Sequence, residues 1–136
     1  LVLDRSIFAR VDYSLLLTFV GFFVFIGNMG RLPVFYEFLQ KIVSGHELLA
    51  GAAASQVISN VPAALLLSGF TEDFPPLIVG VNLGGLGTLI ASMASLISYQ
   101  FVAREEPGMK GPYFRQFTYT NLAFLAVLLV FALVLG

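Results

Sequence analysis

The sequence holds no cysteine and one histidine, and charged side chains make up only 11% of its 136 residues. Without cysteine there is no disulfide framework and no thiolate metal centre. Seven Lys and Arg against eight Asp and Glu leave a net charge of −1, which supplies no basic surface for nucleic acid. Disorder is excluded from the other side, because 58% of the residues are hydrophobic and the mean hydropathy is +0.92. A soluble domain carries about 25% charged residues, and one this small cannot hide so much apolar surface from water. The composition implies an integral membrane protein, with the lipid bilayer as its first partner.

The chain begins with Leu, and the LVLDRSIFARVD ahead of residue 13 carries four charges and no apolar run before a small-residue cleavage site. We therefore expect a piece of a larger membrane protein.

All fifteen charged side chains fall outside four stretches, 13–30, 48–71, 74–103 and 116–136. A helix that crosses the hydrocarbon layer needs roughly 20 mostly apolar residues. The first and last stretches match that length directly. The second does not behave as a plain span: Ser55, Gln56, Ser59 and Asn60 fall near its centre, and Pro62 removes a backbone donor. Irregular backbone at that depth survives only under protein or beside a water-filled cavity. It reads either as a kinked spanning helix or as a re-entrant hairpin over 48–70, with 48–59 entering, a tip at Asn60, Val61 and Pro62, and 63–70 returning. The third stretch has 30 residues, about 45 Å as one helix. Its NLGGLGT at 82–88 carries three glycines, each lowering helix stability by about 1 kcal/mol. A broken helix is expected, with arms at 74–81 and 88–102.

The positive-inside rule separates the two readings of 48–71. As a hairpin, it leaves Arg5, Arg10, Arg104, Lys110 and Arg115 on one side and Arg31 and Lys41 on the other. A full crossing would instead set Arg5 and Arg10 against Arg104, Lys110 and Arg115. The hairpin gives the cleaner division. The expected fold is all-α: three transmembrane helices, at 13–30, 74–103 (broken) and 116–136, plus the hairpin at 48–70. Segments 1–12 and 104–115 are cytoplasmic loops, and the hairpin opens outward. Between them, Pro33 suits a first helical turn, and Phe35, Phe38, Leu39 and Ile42 lie opposite Glu37, Gln40 and Lys41. That pattern predicts an interfacial helix over 33–44.

The two breaks hold the chemistry. Broken helices in membranes form ion and substrate sites, because helix N-termini attract anions and freed carbonyls coordinate cations. Ser59 and Asn60 offer side-chain oxygens, as do Asn82 and Thr88, while Gly84, Gly85 and Gly87 leave the backbone approachable. Hard cations prefer such oxygens. Either break alone would serve equally as a kink or a close-packing patch; two in adjacent stretches point to a site. No ionisable side chain lies in any span, so this piece supplies no proton-relay carboxylate. GGLGT lacks the lysine of a phosphate loop, His46 reads as a surface residue, and Ser55, Ser59, Ser92 and Ser95 have no base beside them. GAAAS at 51–55 and ASMAS at 91–95 suit tight helix packing. No enzyme and no cofactor are expected, a coupling ion aside.

At these motifs the chain resembles a known family. SQVISNVPAALLLSGF followed by GVNLGGLGTLIASMASLISY is similar to the C-terminal repeat of the ion transporter superfamily. The branch with citrate-transporter-like anion permeases and arsenite permeases is the nearest in pattern. The likeness runs from about residue 12 to the C-terminus and is most specific over 55–98. The resemblance implies one half of an inverted-repeat secondary transporter, moving a small anion on a sodium or proton gradient. It implies that Ser59 and Asn60, with Val61 and Pro62 behind them, bind the cation (sodium at Ser59 and Asn60) and the substrate. Asn82, Gly84, Gly85, Gly87 and Thr88 would complete the site. Sodium-coupled dicarboxylate members usually have threonine where Val61 stands, so that hydroxyl is lost here. The implied partners are the N-terminal half with a second such motif, the anion, and a second copy in a homodimer. The implied location is a bacterial or archaeal inner (plasma) membrane. Two alternatives stay open: a cation/proton antiporter of the same superfamily, and a non-transporting assembly subunit.

Overall fold

The computed structural model describes residues 13–135. The segment 1–12 expected to be cytoplasmic, with Arg5 and Arg10, lies outside the described residues. All regular structure among those described is helical.

Helix α1 (Tyr13–Met29) has 17 residues and no charge. Its rise of about 26 Å is at the lower limit for a crossing. The chain then bends by 100° into α2 (Pro33–Val43), whose opening proline occupies a first turn where no N–H is needed. On α2, Val43 is fully buried, whereas Phe38 and Ile42 stay exposed with Glu37, Gln40 and Lys41.

Helices α3 (Glu47–Ile58) and α4 (Asn60–Leu67) are separated by one residue, Ser59. The chain doubles back there. After α4, the Thr71 hydroxyl donates to Glu47 Oε1 at the start of α3, at 2.9 Å. The Phe70 ring meets Phe35 and Tyr36 of α2, with centroids 6.4 and 5.2 Å away, and Leu67 joins Val43 in the core. The result is a helical hairpin with its turn at Ser59 and its mouth at Glu47 and Thr71. The turn is tighter than the three-residue tip read from the sequence. Asn60, Val61 and Pro62 form the first turn of α4, where a proline costs little because first-turn N–H groups have no helical acceptor.

Helix α5 (Phe74–Gly84) lies along the hairpin, and Leu77 and Val81 join Val43, Ala63 and Leu67 in the buried cluster. Its seam with α3 is built of small residues. A Cβ on Gly84 would sit 2.7 Å from Ala52 Cα and Ser55 Cβ, so the two backbones could not approach as they do. This close packing carries α5 three residues past the expected break at 82. The chain leaves the helix at Gly85, makes a 3-10 turn over Leu89–Ala91, and resumes as α6 (Met93–Glu105). The interruption therefore spans 85–92 rather than 82–88.

A short 3-10 turn (Pro107–Met109) leads into α7 (Lys110–Leu135), a helix of 26 residues. The loop expected over 104–115 is thus confined to a few residues. Residues 110–115 are helical because Pro112 again falls in a first turn. Near its start α7 is held to α6 by a 2.7 Å bond between Ser98 Oγ and Tyr113 Oη and by Tyr99 against Tyr113 and Phe114. Near its end Phe131, Leu133 and Leu135 line one groove with Leu48, Pro75 and Pro76. The α7 C-terminus therefore lies at the same end as the hairpin mouth, and the α6–α7 turn lies at the other.

Among the described residues, Pro107–Leu135 is long and apolar enough to cross a membrane alone; α1 and α2 reach that length only as a bent pair. Only Leu125 of α7 is buried, and large apolar side chains cover the outside of α1 and α7. An all-helical chain with so much exposed apolar surface fits a membrane protein.

Two predictions follow from this packing. Gly84→Ala should lower thermal stability in detergent by about 1–3 kcal/mol, the usual penalty for overpacking. Gly21→Ala, with no atom within 4 Å of the new methyl, should not. The second concerns Glu47, outside the uncharged stretches. Its own main-chain N–H, foremost, holds its carboxyl below the usual value; burial opposes this, and the Gly45 N–H and Thr71 hydroxyl add to it. A depressed folded-state value means that the carboxylate stabilises the mouth at neutral pH and that this contribution is lost as pH falls through that value. Melting curves from pH 7 down to about pH 2.5 should show the loss in wild type, setting in below about pH 4.5, and a flatter profile in Glu47→Gln.

Candidate functional site

The site grows from the two places where helices stop. Ser59 has φ 72° and ψ 154°, the one positive φ among described non-glycine residues. That region is almost restricted to glycine and costs of order 1–3 kcal/mol. The residue is held there from both sides: its N–H donates to Ser55 O at 3.1 Å, and its carbonyl accepts from Ala63 N–H at 3.0 Å. Its hydroxyl reaches Ala91 O in the 3-10 turn at 3.4 Å.

The second interruption, starting at Gly85, is fastened to the hairpin one turn before Ser59. The Gln56 amide donates to Gly84 O at 2.7 Å and to Leu86 O at 2.9 Å, and its oxygen accepts from Thr88 N–H at 3.0 Å. Thr88 answers with its hydroxyl, which donates to Gln56 O at 3.1 Å. Gly87 makes this approach possible. Its φ of +103° disfavours a side chain, and a Cβ there would collide with Gln56 Oε1.

Asn60 is half-buried beside this joint. Its Oδ1 accepts from Val61 N–H at 3.0 Å, and its amide nitrogen lies 3.1 Å from where a Gly85 Cβ would stand. Ser59, Asn60, Gly85, Gly87 and Thr88 are thus brought together from the residues singled out in the sequence. Pro62 is buried behind the tip, and Val61 is exposed at its side. Gly84 lies in the α3–α5 seam. Asn82 does not join them. It is exposed on the outer face of α5, with its amide turned back to Ile78 O at 2.8 Å, because Val81 and Gly84 take the face toward α3. Gln56, which the sequence marks only as a polar residue near the centre of its stretch, is not among the expected site residues. Its signal was a long amide in an apolar stretch, three positions before Ser59.

Four helix ends meet here. The C-termini of α3 and α5 present carbonyls, the N-terminus of α6 presents first-turn N–H groups, and that of α4 presents the Asn60 N–H, since the Val61 N–H is taken by Asn60 Oδ1 and Pro62 has none; neither N-cap, Ser59 or Ser92, is capped by its side chain. Ser59, Pro62 and Met93 line a common cavity of about 260 Å³ with Thr18, Phe19 and Phe22 of α1. Helix C-termini favour cations and N-termini favour anions. Every side chain assembled at the joint is uncharged, so the electrostatics there are those of oriented dipoles.

No protein-family profile matches the chain, and no solved structure does. It is similar to an uncharacterized transporter of Methanocaldococcus jannaschii, with 44% identity over 89 residues, 65% of this chain and 25% of the relative. It is also similar to the inner membrane protein YbiR of Escherichia coli, with 35% identity over 100 residues, 71% of this chain and 27% of the relative. The chain spans about a quarter of the length of these curated relatives. One relative is named a transporter and the other an inner membrane protein, and both names fit an integral membrane protein.

Strain at Ser59 makes a direct prediction. Ser59→Gly should raise thermal stability in detergent by about 1 kcal/mol, by releasing the left-handed backbone. Ser59→Ala keeps the strain and should not. A destabilised glycine variant would show that the tip backbone is unstrained.

Proposed function

We propose that this chain is the C-terminal half of a secondary active transporter that moves a small anion, a carboxylate or an oxyanion, on a sodium or proton gradient. The observation that carries the reading is the meeting of two helix N-termini and two helix C-termini at Ser59 and residues 85–92. Such an arrangement suits an anion and a cation bound side by side in a place without charged side chains. Sodium would take neutral oxygens at Ser59 and Asn60 and carbonyls freed at the end of α3. The anion would lie on the first-turn N–H groups of α6 and the Asn60 N–H of α4.

In this reading α3 and α4 are a re-entrant hairpin that opens outward, α2 lies in the interface, and α1, the broken α5–α6 and α7 are the three crossings. The hairpin mouth and the end of α7 fall on one side, as that topology requires. The N-terminal half of the transporter covers the tip from the other direction and completes the site, and the protein works as a homodimer in a bacterial or archaeal inner membrane. Relatives named as a transporter and an inner membrane protein support the class of function.

The test uses the full-length protein in proteoliposomes with an imposed sodium or pH gradient and a panel of radiolabelled small carboxylates and oxyanions. One anion class should accumulate, and Asn60→Ala should reduce that uptake at least about tenfold with unchanged insertion, the scale of one hydrogen bond to a charged ligand. Gradient-independent behaviour for every anion would remove the transport reading. Unchanged uptake by Asn60→Ala would remove the site.

A further inference from the structure

Gln56 stands outside the tip itself, yet no other side chain among the described residues bonds to so many points of the second break. We propose that Gln56 is a positioning residue that locks the hairpin tip and the helix interruption into one unit, so that both halves of the binding site move together. The inference rests on the transport reading above for its functional part alone.

The argument starts from the backbone. At the end of α5, Gly85 N–H still reaches Val81 O and Asn82 O, and Leu86 N–H reaches Leu83 O. Beyond that point the helical ladder stops, and the carbonyls of Gly84 and Leu86 and the N–H of Thr88 have no helical partner. An unpaired backbone group in an apolar layer is costly. The Gln56 amide answers all three at 2.7, 2.9 and 3.0 Å. A carboxamide is a planar donor–acceptor group like a peptide, and its two N–H donors and one carbonyl match two stranded carbonyls and one stranded N–H. The Thr88 hydroxyl then donates to the Gln56 main-chain carbonyl at 3.1 Å, which makes the joint reciprocal. Gly87 leaves room for the amide, and the Ser59 hydroxyl adds a longer tie to Ala91.

The donor pattern makes glutamine specific. A carboxylate at position 56 could still accept from Thr88 but would face the Gly84 and Leu86 carbonyls with no proton. Repulsion there favours the protonated form, which restores one donor. Gln56→Glu should therefore join the two elements at acid pH and release them at alkaline pH, whereas Gln56→Met should release them throughout.

Two measurements on the full-length protein decide the matter. Hydrogen exchange should show the Thr88 amide opening about tenfold more readily in Gln56→Met than in wild type, the scale of one net hydrogen bond, with the Glu47–Thr71 mouth unchanged. Equal protection of Thr88 in both proteins would overturn the lock. In proteoliposomes, the ratio of Gln56→Glu uptake to wild-type uptake should rise at least about tenfold from alkaline to acid pH. A ratio independent of pH would overturn the positioning role. Should Gln56→Met fail to fold, the same exchange measurement on Gln56→Glu across pH keeps the test: Thr88 protection, corrected for intrinsic rates, should fall as the new carboxyl ionises. A wild-type protein that transports no anion would remove the transport reading, and the exchange result would still decide the lock.

Discussion

A helix that stops inside an apolar layer strands its last carbonyls and the first N–H groups of whatever follows, and the arrangement of residues 52–92 is an answer to that constraint. Two helices stop side by side, at Ser59 and at Gly85, and whereas the turn at Ser59 closes within the hairpin, the break after Gly84 is not satisfied from within its own element. The Gln56 amide, the Thr88 hydroxyl and the Ser59 hydroxyl bond across from one to the other. Because the hairpin completes the second break, that break cannot be described as a defect of its own helix. Together the turn and the break form a polar joint without a formal charge, beside a cavity lined mainly by apolar side chains.

The same logic explains the small residues along the seam between α3 and α5. Backbone groups can be satisfied across two elements only if their axes approach closely, and Gly84 against Ala52 and Ser55 sets that distance. Large apolar residues are pushed to the outside of the molecule, where α1 and α7 carry them almost uncovered. In water this would be a liability. In a bilayer it is ordinary lateral surface.

Much of this was legible in the residues themselves, for physical reasons. The absence of charge from four stretches set the apolar segments, and the split of Arg and Lys favoured a chain that doubles back over 48–71. Pro62 and the glycines at 84, 85 and 87 marked the interruptions. What they could not mark was the register. Proline in a first helical turn looks the same in sequence as proline at a tip, which misplaced the hairpin turn by one to three residues and hid the start of α7 ahead of Pro112. Glycine propensity ended α5 too early, because tight packing against α3 overrides it. The direction of Asn82 and the reach of Gln56 depend on rotation about a helix axis, which a stretch apolar on every side does not encode.

The closed mouth of the hairpin also bears on the order in which the molecule assembles. Thr71 meets Glu47 across 24 positions of chain, so that contact is available as soon as the hairpin has been synthesised. The partners of Gln56 lie 28 to 32 positions downstream and arrive only with the end of α5 and the turn beyond it. Contacts of short sequence separation form first, and synthesis from the N-terminus reinforces that order. The nascent hairpin therefore passes through an interval with its base fastened and its polar tip unanswered. During that interval an insertion chaperone or a misplaced helix would find its most reactive surface.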